Sequence, residues 1–205
     1  MATLGDNCYG KARVRVMKVV RHATHHAMKE WNVRVLLHGD FESCFTEGDN
    51  SKILPTDTMK NTVYYLARES NAATLEEFAT ELVEYLLSNN PQVSKAVAEI
   101  EEKSWERVPI DGSPHATTYT LAGPEQQTVE AILERGSSLK VTSGIDGLVI
   151  LKSGRYEGRN DPDPRNSREC RLARTVGQGA RSAAIAVARL VFRSRRLQSV
   201  RWLEP

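Results

Sequence analysis

The sequence predicts an α+β fold, an antiparallel sheet with helices on one face, and three observations predict it. Two runs of period-two alternation open the chain, two helical stretches follow at once, and alternation then returns. The order is two strands, two helices, two strands.

The first strand runs from Lys11 to Val20, with Val14, Val16 and Met17 marking a half-buried face. A His-rich link, His22 to His26, leads to a second alternating run, Trp31 to Leu37, that continues toward Phe45. Together they read as a long antiparallel hairpin. Helix one is expected from Asp57 to Arg68: Thr56 or Asp57 suits the N-cap, and Val63 and Leu66 begin an apolar stripe. Thr74-Leu75-Glu76-Glu77 is a capping box, and Phe78, Leu82, Tyr85 and Leu86 share one face of the helix it starts. Pro91 stops that helix. Val93 to Val108 alternates again, with Ala96, Ala98 and Ile100 on one side. Asp111-Gly112-Ser113-Pro114 is a turn, and residues 115–122, rich in Thr, return as a strand. Further strands at Gln127–Leu133 and Leu139–Leu151 look like a second copy of the opening hairpin. A sheet covered by helices on one side is expected to leave an apolar face that needs other cover.

Composition narrows the class. The 205 residues are 40% hydrophobic and 26% charged, which fits a soluble globular protein with a real core. The formal net charge of +2 conceals an asymmetry. Residues 1–158 carry 17 Lys+Arg against 22 Asp+Glu, whereas residues 159–205 carry 11 Arg, no Lys and 4 acids. Asp161-Pro162-Asp163-Pro164 and the run to Arg171 read as irregular loop, and Ala180 to Phe192 as a short basic helix whose apolar residues are nearly continuous. This tail is expected to be poorly ordered. It lacks the aromatic interleaving of a nucleic-acid-binding arm, so no nucleic-acid partner is expected. Cys8, Cys44 and Cys170 are too few and scattered for a disulfide framework or a zinc site. His22, His25 and His26 have no carboxylate or cysteine in register, and no metal is expected there. No apolar run approaches the roughly 20 residues that cross a bilayer, and no signal peptide is read at the N-terminus.

The most informative stretch is Leu54-Pro55-Thr56-Asp57-Thr58-Met59-Lys60-Asn61-Thr62-Val63-Tyr64-Tyr65. A helix N-terminus presents free N–H groups and a positive dipole end, a ready seat for an anion. Upstream, Tyr9-Gly10-Lys11 opens the first strand; downstream lies Gly147-Leu148-Val149-Ile150-Leu151-Lys152. With these three segments the chain resembles the urate oxidase (uricase) family from about Tyr9 to Gly158. The resemblance implies the tunnelling fold, built from ββααββ units: one full unit at 9–123, the first hairpin of a second at 124–158, and a divergent tail at 159–205. It implies cofactor-free oxidation of urate by O2 to 5-hydroxyisourate and hydrogen peroxide. Lys11 and Thr56 would form the proton relay, Thr56 and the Asp57 backbone N–H would contact urate, and Tyr156 would stack on the purine. It also implies a homo-oligomer, a tetramer in the family, with no membrane partner, and a peroxisomal location in a eukaryote or otherwise the cytoplasm, although Trp202-Leu203-Glu204-Pro205 is not a Ser-Lys-Leu type of address. The family's purine-clamping arginine and glutamine, its asparagine and its relay histidine lie beyond the point where the resemblance stops. Arg165, Arg168 and Gln178 stand in no matching motif. Impaired turnover is the expectation, with a non-catalytic product that associates with full-length subunits as the alternative.

Overall fold

The structure, a computed structural model, describes residues 4–152 and 184–194. Two long strands, β1 (Cys8–Arg21) and β2 (His26–Gly39), form the opening hairpin, closed by a turn in which the His22 N–H donates to the His25 carbonyl. A one-turn helix α1 (Glu42–Thr46), then α2 (Thr56–Glu69) and α3 (Leu75–Asn89), lead to β3 (Val93–Ile110), β4 (Ser113–Glu134) and β5 (Lys140–Lys152). A sixth strand, β6 (Ala184–Ser194), pairs with β5. Each strand is antiparallel to the one before it, so the sheet order is simply β1 to β6.

Both long helices lie on one face, and the reason is visible in their spacing. Met59, Val63 and Ala67 of α2 recur every fourth residue and are buried. In α3 the buried arc is wider, from Leu75 and Phe78 through Ala79, Leu82 and Val83 to Leu86. These meet the alternate inward residues of the strands, Trp31, Val33, Val35 and Leu37 on β2 and Ala96, Ala98 and Ile100 on β3. The Phe78 ring stacks on Trp31 with centroids 4.6 Å apart. The capping box at Thr74 forms as the sequence indicates, with the Glu77 N–H donating to the Thr74 hydroxyl and the Glu77 carboxylate receiving the Thr74 N–H.

Several sequence expectations are corrected. Beyond Gly39 the chain leaves the sheet and makes α1 rather than extending β2 toward Phe45. Phe41 turns inward, fully buried. Met17 and Tyr85 are exposed: Met17 alternates outward from Val16, and Tyr85 falls just outside the Phe78 edge of a buried arc centred near Ala79 and Leu86. Residues 115–122 and 127–133 are not two strands but parts of β4, which pairs with β3 from Ser113 to Glu134 with two interruptions, one leaving residues 115–118 opposite Val108. Ala122 to Glu125 stand opposite Ser104 alone in a wide bulge, which accommodates Pro124 without a ladder hydrogen bond. Residue 124, the unit boundary drawn from the sequence, therefore lies inside β4. The segment read as a basic helix from Ala180 to Phe192 overlaps β6; continuous apolar and β-branched residues suit a strand beside β5.

The face away from the helices is part polar and part apolar. Arg34 donates to both carboxylate oxygens of Glu99 at 3.0 Å, and Asn32 donates to Glu101. Glu30, only 3% exposed, accepts from Arg15 at 2.8 Å and from the Trp105 indole at 3.0 Å, with Lys103 at 3.6 Å. Burial pushes the Glu30 carboxyl up, but Arg15, Lys103 and Trp105 together outweigh that and hold it below the usual carboxylate range. Charged partners across neighbouring strands thus pair along the middle of this face, while Leu36, Val97 and Ile132, side by side on β2, β3 and β4, make it apolar toward one end.

Candidate active site

The site grows from the three residues Tyr9-Gly10-Lys11 at the start of β1. Gly10 is a point of close approach between β1 and β2: a Cβ there would lie 1.9 Å from the Val35 carbonyl oxygen. No side chain fits. Tyr9 turns to the helix face, where its ring meets Phe41 edge-on with centroids 4.7 Å apart. Its hydroxyl accepts from the Leu54 N–H at 2.7 Å and donates to the Leu54 carbonyl at 3.2 Å. Burial raises the Tyr9 phenol above its ordinary value, against the opposing Leu54 bond, so it stays protonated and able to donate.

Lys11 reaches the same face by an irregularity. It pairs with Val35, and Val14 pairs with Val33, so Ala12 and Arg13 together stand opposite Arg34. Arg13 takes the left-handed conformation, φ +58°, that the bulge requires. The extra residue puts Lys11 and Val14, three apart in sequence, on one side of the sheet. In an unbroken strand Lys11 would share the opposite side with Arg15. The bulge therefore turns the half-buried Lys11 toward α2.

At that end α2 begins without a side-chain cap. Thr56 and Asp57, either of which suits an N-cap by residue type, are the first and second helical residues, and the N-cap position is held by Pro55, which has no side-chain acceptor. The first helical bond runs from the Met59 N–H to the Pro55 carbonyl at 3.1 Å, so the N–H groups of Thr56, Asp57 and Thr58 have no intrahelical acceptor. Asp57 instead binds Lys60 at 2.9 Å. The Lys60 hydrogen bond, with a smaller contribution from the nearby Lys11 charge, holds the Asp57 carboxyl below its ordinary range. Lys11 is thus close enough to feel the mouth of α2. Among the described residues no hydrogen bond joins Lys11 to Thr56, whose side chain is exposed. Tyr156 lies outside the described residues. Tyr9 carries a role that its residue type did not announce; the only signal in the sequence was its place in the motif.

The antiparallel sheet, its helices on one face and the lysine-bearing strand set against a helix mouth define a tunnelling-fold domain. The uricase family model matches residues 7–132. A uricase of Arabidopsis thaliana is 47% identical over 152 residues, covering 72% of this chain and 48% of its own length. Uricase-2 of Phaseolus vulgaris is 45% identical over 147 residues, covering 71% and 47%. The crystal structure of uricase from Arthrobacter globiformis superposes with a TM-score of 0.67 at 37% identity, covering 75% of this chain and 51% of that one. The chain belongs to the uricase family. It spans about half the length of the curated relatives it matches.

Proposed function

We propose that this chain supplies the proton-relay part of a site that oxidises urate with O2 and water to 5-hydroxyisourate and hydrogen peroxide. One observation carries the reading: the β1 bulge brings Lys11 onto the helix-covered face, beside the uncapped mouth of α2 where Thr56 and Asp57 begin the helix. An amine accepts a proton from the Thr56 hydroxyl, which a threonine cannot lose unaided near neutral pH, and the hydroxyl in turn takes one from the purine. The free N–H groups and dipole of α2 favour the resulting purine anion. Electron density released by deprotonation makes urate the reductant of O2. Tyr156 stacks on the ring in this reading, and the complete site forms in a homo-oligomer.

The family's purine-clamping positions belong to its second half, outside the residues matched here. Turnover by these 205 residues alone is therefore expected to fall well below that of a full-length relative. The test is anaerobic equilibrium dialysis of urate against the chain, with aerobic loss of urate ultraviolet absorbance measured in parallel. Urate binding that weakens at least tenfold in both Lys11→Ala and Thr56→Ala supports the reading. Undetectable binding to the unaltered chain, or binding in both variants unchanged from that of the unaltered chain, refutes it.

A further inference from the structure

We propose that Tyr9 is a positioning residue: its hydroxyl holds the Leu54–Thr56 strap against β1 and so sets Thr56 over Lys11. The inference rests on the relay reading above and adds to it the part that aligns its two members.

Tyr9 and Lys11 are two residues apart on β1, opposite Leu37 and Val35, and so point to the same face. Leu54 and Thr56 are also two apart. One phenol therefore fastens the two short segments at matching distances from the relay pair, through a donated and an accepted hydrogen bond to the same residue. The link between Leu54 and Thr56 is stiff. Leu54 precedes a proline and is confined to extended backbone, while Pro55 itself stands at φ −55°, ψ 137°. A restraint on Leu54 thus reaches Thr56 with little loss, whereas a flexible link would dissipate it. The phenol is in turn held by its edge-on contact with the fully buried Phe41. Gly10, between Tyr9 and Lys11, admits no side chain and locks β1 to β2 at that point. Nothing else among the described side chains hydrogen-bonds to Leu54. Without the hydroxyl, the strap loses its only side-chain anchor on β1, and the mouth of α2 is free to shift by the fraction of an ångström to which a proton relay is sensitive.

Tyr9→Phe keeps the ring and removes the two hydrogen bonds, and its effect on urate affinity separates positioning from simple stabilisation. Anaerobic dialysis would compare the unaltered chain, Tyr9→Phe, Lys11→Ala and the double variant, with Phe78→Leu as a destabilised control at the other end of the sheet. The expected result is a five- to tenfold loss of affinity in Tyr9→Phe, no loss in Phe78→Leu, and a double variant within twofold of Lys11→Ala. Such non-additivity marks a residue that acts through the pair. A Tyr9→Phe affinity equal to the unaltered chain's, or an equal further loss on the Lys11→Ala background, overturns the positioning role while leaving the relay intact. Lys11→Ala with undiminished affinity overturns the relay reading itself, and the positioning role with it.

Discussion

Replacing Gly10 with alanine asks the structure the sharpest question. The added methyl would stand 1.9 Å from the Val35 carbonyl oxygen, 2.9 Å from the Val35 carbonyl carbon and 3.0 Å from the Leu36 Cα. All three are backbone atoms in a paired strand, so no side-chain rotation relieves the clash. An ordinary carbon–oxygen contact needs about 3.3 Å, so the two strands must separate locally by about 1.4 Å. That motion strains the two inter-strand hydrogen bonds nearest Gly10, each worth about 1 kcal/mol net, and adds about 1–3 kcal/mol of misfit. The expected loss is about 3–5 kcal/mol, or about 6–20 °C in apparent melting temperature for a chain of this size. Urea denaturation followed by circular dichroism would measure it, with an unchanged slope confirming that stability and not the denatured state has altered. Gly5→Ala, where nothing lies within 4 Å, is the control and should stay within about 0.5 kcal/mol. A Gly10→Ala loss below about 1 kcal/mol would refute the close approach, and with it the account of how β1 carries Lys11.

Three further outcomes follow from the same structure. Arg13→Gly relieves a left-handed residue at φ +58° and should raise stability by about 1 kcal/mol, measured as a higher urea midpoint, while leaving urate affinity unchanged. Glu30→Gln weakens a buried carboxylate bound by Arg15 and Trp105 and should cost about 2–4 kcal/mol at pH 7. Because the folded-state value of Glu30 is depressed, the unfolded chain takes up its proton first; the stability is present above the ordinary value of 4.5 and lost as pH falls toward the folded value, and thermal melts of the variant should show a shallower loss below pH 5. Glu102 behaves in the opposite sense. Burial raises its carboxyl despite the Trp31 indole bond at 3.1 Å, so ionisation opposes folding as pH rises from 4.5 through the folded value. Glu102→Gln keeps the acceptor and should raise the melting midpoint at pH 7 while leaving it nearly unchanged at pH 4.

Much of the fold was legible because its signals are local. The Thr74–Glu77 capping box, the apolar stripe of α2 that Val63 begins, and the alternation from Trp31 to Leu37 each arise from one element's own period and ends. The Asp111-Gly112 turn was equally plain: both residues take positive φ, and Ile110 pairs with Ser113 around a two-residue hairpin loop. What misled was length and cover. Gly123-Pro124 looks like the end of a strand, yet β3 continues opposite and carries β4 across the bulge. The outer face of the sheet was expected to be apolar, and it is so only around Leu36, Val97 and Ile132; elsewhere ion pairs join residues such as Arg34 and Glu99, 65 apart in sequence, whose partnership no single strand reveals.

The candidate site divides along the same line. Sequence pointed to Lys11, Thr56 and Asp57 through the resemblance of the Tyr-Gly-Lys opening and the Thr-Asp helix start to the uricase family, because both are contiguous motifs; residue type alone reads a solvent-facing lysine and a helix cap. It also marked where α2 begins, to within one residue. Which way Lys11 faces was decided only in three dimensions. A period-two strand would point it away from α2; the bulge at Ala12 and Arg13, which no glycine announces, returns it to the helix side. The bond from Tyr9 to Leu54 spans 45 residues and exists only once β1 and the strap are packed together. Side-chain identity is written locally, but facing and distance depend on register and on contacts between segments far apart in the chain, and those are settled when the sheet closes against its helices.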